Sequence, residues 1–243
     1  MNIKKQICSV SVISIAFLIT ISNNIIAQTK LTILYKKGSI KGSKEDYLKP
    51  NNTTKWTGKF SIDEFTINDS ITYYQTIQEF EDKEEYTIKS LKKTRLNKML
   101  SKSFVLHSNY CNYATGYNIE AIEWKDDNYL VKTPIENKQK IWDITEDKKV
   151  VLGYNCIKAT KLNANNEVET IAWFFADFKC SYSNNGDSSL PGIILETYVP
   201  KSNTLITAID LQIETNTVLA PTAKIGKLVT KEEFEKIKKN KKD

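Results

Sequence analysis

Residues Ser188–Glu196 read SSLPGIILE, and the way this stretch must fold limits what the rest of the chain can be. Pro191 has no amide hydrogen to give a helix and fixes its own φ, while Gly192 reaches conformations closed to other residues, so the pair is a forced turn. Ile193, Ile194 and Leu195 follow at once, an apolar run of strand length. A rigid corner that feeds a core strand belongs to a β protein.

Working outward, the neighbouring segments keep that character. VVLGYNCIKATKL (150–162) and VETIAWFFADF (168–178) flank Asn163–Asn166 and read as a hairpin. Alternation then puts Ile171, Trp173 and Phe175 on one face of the second arm, Ala172, Phe174 and Ala176 on the other, and Cys156 near Trp173. Downstream, NTLITAIDLQIET (203–215) places Leu205, Thr207, Ile209, Leu211 and Ile213 on one side at a period of two. Upstream, FVLHSNY, YNIEAIEW, NYLVKTP and KQKIWDIT are strand-length pieces separated by Asn, Asp, Gly or Pro. LTILYKK (31–37), FSIDEFTIN (60–68) and ITYYQTIQEF (71–80) have the Thr, Tyr, Ile and Phe content of half-exposed strands, and Gly38–Thr54 reads as a loop between them.

Two segments break the pattern. Ser90–Ser103 spaces Leu91, Leu96, Met99 and Leu100 among lysines and Arg95, as a short surface helix does. Thr230 with Glu233 makes a capping box before Phe234 and Ile237, which predicts a basic helix over 231–240 whose lysines fray into water. The expected fold is mainly β, a single twisted antiparallel sheet with one or two short helices. Residues 28–229 form one domain and 230–243 a short basic helix and tail.

Composition fits a folded, exported protein. Of 243 residues 40% are hydrophobic, with 12 Tyr, 9 Phe and 4 Trp, which is ample for a core. Lys4 and Lys5, the apolar Ser9–Ile21 and the Ile25-Ile26-Ala27 site have the layout of a secretory signal cleaved before Gln28. That apolar run is short of the roughly 20 residues that span a bilayer, so no membrane segment is expected after cleavage. Net charge is +6, of which Lys4 and Lys5 supply two, too little for a dedicated nucleic-acid binder. Export permits a disulfide, and Cys111 with Cys180, both in polar turn-like settings, is the expected pair, leaving Cys156 as a small buried hydrophobe.

The signature carries a resemblance. SLPGIILE is similar to the run that names the GLPGLI family, exported bacterial proteins best known from the Bacteroidetes with no established activity. IWDITEDKKVVLGYNCIKATKL and AWFF resemble that family's Trp strand, G-Y-x-C-x-K-A strand and aromatic strand, on Trp142, Gly153, Tyr154, Cys156, Lys158, Ala159 and Trp173. The signature's first Gly is Ser189 here and its second Leu is Ile193, while Leu190, Pro191, Gly192, Ile194, Leu195 and Glu196 keep the pattern in a structural role. The resemblance implies a mostly β protein of the cell envelope, periplasmic, outer-membrane associated or secreted, acting beside an outer-membrane receptor or transport protein. A sheet curved into a half-barrel, similar to periplasmic lipoprotein carriers, is the analogy it suggests.

For chemistry the residues offer little. His107 is the sole imidazole and no nucleophile elbow accompanies it, so a triad is not expected. One His and three scattered Cys after the leader do not build a transition-metal cage, so no metal or other cofactor is expected. Glu120 with Glu123, or Asp143 with Glu146, are the carboxylate pairs a hydrolase would need. A non-catalytic binding or accessory module is the first expectation. A carrier whose aromatic face of Trp142, Tyr154, Trp173 and Phe175 takes an apolar ligand is the second, although those side chains read first as core. A hydrolase using such carboxylates is the third, and a sheet edge that accepts a partner's strand is a further mode of binding.

Overall fold

The computed structural model describes residues 29–49, 54–68, 71–81, 84–100, 108–135, 142–178, 190–215 and 226–240. The leader, His107, Cys180 and Ser188–Ser189 lie outside the described residues. Twelve strands form one sheet: β1 (Thr29–Ile40), β2 (Trp56–Asn68), β3 (Ile71–Phe80), β4 (Asn109–Asn112), β5 (Tyr117–Trp124), β6 (Asp127–Pro134), β7 (Asp143–Val151), β8 (Tyr154–Leu162), β9 (Val168–Phe175), β10 (Ile193–Val199), β11 (Thr204–Thr215) and β12 (Lys227–Thr230). Their order is β12-β6-β5-β4-β3-β2-β1-β11-β10-β9-β8-β7. Every pair is antiparallel except β12 on β6, which is parallel. The first strand therefore lies mid-sheet, held on one side by β2 and on the other by β11, near the far end of the chain.

The Leu190–Gly192 corner works through close approach. A Cβ on Gly192 would sit 2.3 Å from the carbonyl oxygen of Phe175 and 2.8 Å from Ala176 Cα, so only glycine lets the chain pass this close to the end of β9. Leu190 beneath it is buried with Phe174 and Ile194, which face away from Trp173. One residue further, a bulge between Ile194 and Glu196 brings Glu196 opposite Trp173.

Three local readings of the sequence are corrected. Val150–Leu162 is not one arm, because Leu152 (φ 51°) and Gly153 (φ 83°) make a two-residue turn that ends β7 and starts β8. The even period over 203–215 breaks at Ile209: Leu34 pairs with Asp210 but Tyr35 with Ala208, so Ile209 is an extra residue and the side chains change face across it. Ile213, near the end of the strand, is 53% exposed. Within the Gly38–Thr54 loop, Ser43 and Asp46 cap each other and open a one-turn helix, α1 (Lys44–Tyr47), whose Tyr47 is buried.

Two further helices pack on the sheet. α2 (Ile88–Leu100) buries Leu91 against Ile62, Ile77 and Phe80, and its Arg95 Nε lies 2.6 Å from the buried Glu64, which also accepts from Gln75 Nε2 at 2.6 Å. α3 (Lys231–Asn240) carries the predicted capping box, with Thr230 and Glu233 bonded in both directions. Its expected apolar stripe anchors it: Phe234 is buried against Tyr129 and Val131 beside β12, with Ile237 packed on the same cluster. No helix among the described residues is long and apolar enough to cross a membrane.

Candidate functional site

The four aromatics named from the sequence do not share one cleft. Trp173 is 8% exposed in the main core, with Tyr154 and Phe175 packed on that core and on each other at 4.9 Å. Trp142 lies across the sheet, with Ala159, Ala172 and Phe174. Its buried Nε1 finds no partner among the described residues, and Lys161 Nζ sits 5.9 Å from its ring centre.

Around Trp173 the structure builds a polar knot. Tyr47 of α1 donates to Glu196 Oε1 at 2.5 Å, Lys149 of β7 donates to the same oxygen at 2.6 Å, and Thr207 donates to Oε2 at 2.9 Å. Trp173 Nε1 donates to the Tyr47 hydroxyl at 3.0 Å. Burial, then the charge of Glu196, pushes the Tyr47 phenol far above its ordinary range, so it stays a donor. Both carboxylate oxygens are engaged and the charge is countered, which is how a buried ion is held for structure. Cys156 beside this knot is a free thiol with 0% exposure, pushed up to about 11 chiefly by burial, hence inert at neutral pH.

A cavity of about 980 Å³ lies elsewhere, between α3 and the face of β2–β6. Register sets its floor as two cross-strand rows. The first runs Phe65–Tyr74–Asn109–Glu120–Val131 and the second runs Thr72–Cys111–Asn118–Thr133. Residues directly paired across strands share a face, so these polar groups point to one side by construction. Tyr74 donates to the buried Asp63, and burial raises its phenol well above the usual range. The Cys111 sulfur lies 3.4 Å from Asn109 Oδ1 and 3.6 Å from Asn118 Oδ1, either of which can accept its one proton, and Asn118 Nδ2 donates to Thr133 Oγ1 at 3.4 Å. Lys231, Glu232, Phe234, Glu235 and Lys238 of α3 close the other side.

The carboxylate pairs fare differently. Alternation in β5 sends Glu120 to the cavity and Glu123 to the opposite face, so these two do not converge on one bond. Asp143 and Glu146 are exposed on β7, outside the cavity. Among the described residues no three His, Cys, Asp or Glu side chains cluster as metal ligands. The pairing of Cys111 falls partly outside the described residues, because Cys180 does. As for the edges, β12 spans four residues, and β7 carries five charged residues and a register break between Ile144 and Lys148, both features that discourage strand addition.

Sequence reasoning missed Tyr47 and Lys149, whose roles depend on contacts across 149 and 47 residues of chain. The cavity row was half visible: YNIEAIEW puts Asn118, Glu120 and Ile122 on one face, but nothing in it says that α3 lies above them.

No family model matches the chain, and no curated protein does. Among solved structures it is similar to PNGF-II in its P21 crystal form, at a TM-score of 0.51 and 15% identity over 87% of this chain and 33% of that one. The C2 form of PNGF-II gives the same score and identity, with 87% and 32% covered. At that identity the likeness is one of fold, and the chain spans about a third of the length of PNGF-II.

Proposed function

We propose that this protein is an exported, non-catalytic binding module of the cell envelope that seats its ligand in the cavity between α3 and β2–β6 and acts beside an outer-membrane receptor or transport protein. The observation that carries the reading is the cavity itself: about 980 Å³, floored by hydroxyl and amide side chains with the half-buried Ile122 among them and backed by the buried Phe65 and Phe234. A few placed polar groups among apolar ones is the make-up of a ligand pocket. The buried carboxylates support the non-catalytic part, since Glu196 and Glu64 are each tied to a cation and further donors and serve the fold. Export and the envelope partner rest on the leader-like residues 1–27 and on the likeness of SLPGIILE to the GLPGLI signature.

The test is recovery of the tagged full-length chain from the envelope fraction, followed by native mass spectrometry. A bound small species that disappears in Glu120→Ala and Asn109→Ala is the expected result. A species retained in both variants, or one converted to product by the purified protein, overturns the reading.

A further inference from the structure

We propose that the cavity takes a neutral saccharide, a ligand class that deepens the binding-module reading and rests on it. Three features of the site lead there.

The first is which groups face the ligand. The cavity lies on a face of the sheet, where the backbone N–H and C=O of β2–β6 are spent in the ladders between neighbouring strands. A ligand there is read by side chains alone. An extended peptide gets its affinity by adding main-chain bonds at a sheet edge, which this site does not offer.

The second is charge. Lys37, Lys231 and Lys238 are matched in number by Glu120, Glu232 and Glu235, so the site has no net field to draw in an ion.

The third is the pattern of donors and acceptors. Asn118, Tyr74 and the Cys111 thiol are already bonded to protein partners, which fixes the floor. Asn109 Oδ1 is within reach of the Cys111 thiol, which leaves the Nδ2 hydrogens as the donors this side chain can offer a ligand, and its directly paired neighbour on β5, Glu120, lines the same cavity. Side chains so paired stand about 5 Å apart. An amide donor next to a carboxylate acceptor suits adjacent hydroxyls, each of which gives one hydrogen bond and takes another. A hydrocarbon tail would leave both groups desolvated and unpaired, which opposes its binding. Phe65 and Phe234 are buried beneath the site, so the half-buried Ile122 is the apolar contact left for a ring's C–H face, and the volume accommodates roughly two or three sugar rings.

The experiment is a titration of the 15N-labelled protein, full length after the leader, with maltotriose, cellotriose and triacetylchitotriose. A neutral tripeptide and lysophosphatidylcholine serve as competing probes, and the readout is the backbone amide signals of residues 109–122. At least one trisaccharide is expected to shift them with a Kd of about 1 mM or tighter. Glu120→Ala and Asn109→Ala should each weaken that binding about tenfold with an otherwise unchanged spectrum. Glu120→Gln, which keeps the size of the side chain, should fall between them and the wild type. Shifts from the tripeptide or the lysolipid but from no saccharide overturn the proposal and leave the binding-module reading intact with another ligand. Silence from every probe overturns the saccharide class, while envelope capture decides separately whether the cavity is a ligand seat.

Discussion

Lys149 Nζ lies 2.6 Å from Glu196 Oε1, although β7 and β10 are separated in the sheet by β8 and β9. The edge strand is thus clipped to a strand three places inward, across the face that holds Trp173. Glu196→Ala removes the acceptor for three donors at once, and a loss of about 3 kcal/mol in urea unfolding is expected. Lys149→Met should cost less, about 1–2 kcal/mol, because the Lys149 side chain is 37% exposed and solvent screens its charge. Faster amide exchange confined to β7 in Lys149→Met is the accompanying sign. Equal stability of the wild type and Glu196→Ala would rule out the clip.

Gly192→Ala is expected to be among the most damaging single changes in the chain. Its new carbon meets backbone atoms of Phe175 and Ala176, which cannot rotate away, so β9 and β10 must separate locally. A loss of about 3 kcal/mol or more follows, or failure to accumulate on expression. A melting temperature within a degree or two of wild type would show that the corner relaxes freely.

The two tryptophans should separate cleanly. Trp173→Ala empties a core position and removes the donor to Tyr47, for a loss of about 3–5 kcal/mol. Trp142→Phe deletes a buried Nε1 that finds no partner among the described residues, so its cost should stay below about 1 kcal/mol. Chemical denaturation of both variants decides it, and a large loss in Trp142→Phe would point to a bond that this indole makes.

Cys156 should resist thiol reagents at pH 8 in the folded protein and react promptly after unfolding. Its folded value of about 11 exceeds the ordinary thiol value of 9, so its contribution is fully present below pH 9 and is lost as pH climbs toward 11, where the unfolded chain alone gains from ionising. Cys156→Ala should flatten that alkaline fall. Rapid labelling of Cys156 in the native protein would contradict its burial.

Phe234→Ala tests the anchorage of α3. Hydrogen exchange over residues 231–240 should rise sharply while β1, β2 and β11 keep their protection. A uniform rise across the sheet would mean that the helix is integral to the core.

Much of the sheet was legible because its signals are local. ITYYQTIQEF and YNIEAIEW become strands with the bounds their alternation implies, and the Thr230–Glu233 box starts α3 where expected. What escaped depends on distant contact or on one inserted residue. The bulge at Ile209 reverses a face that reads as regular, and the Leu152–Gly153 turn hides inside an apolar run. The candidate site escaped for the first reason: Asn109, Asn118 and Glu120 are unremarkable polar positions until register aligns them and the end of the chain folds over them. The large aromatics read first as core and only second as a ligand face, and Trp173 with Tyr154 and Phe175 is indeed packed inside.

The place of β1 in mid-sheet also governs how the molecule comes into being. Leu31 pairs with Ile213, so an early-made segment stays half-dressed until β11 has been made. Closing so long a loop makes assembly slow, and the waiting strand is an invitation to wrong partners. Truncation before residue 204 leaves that edge of β1 without its partner and should yield aggregate instead of a smaller folded body.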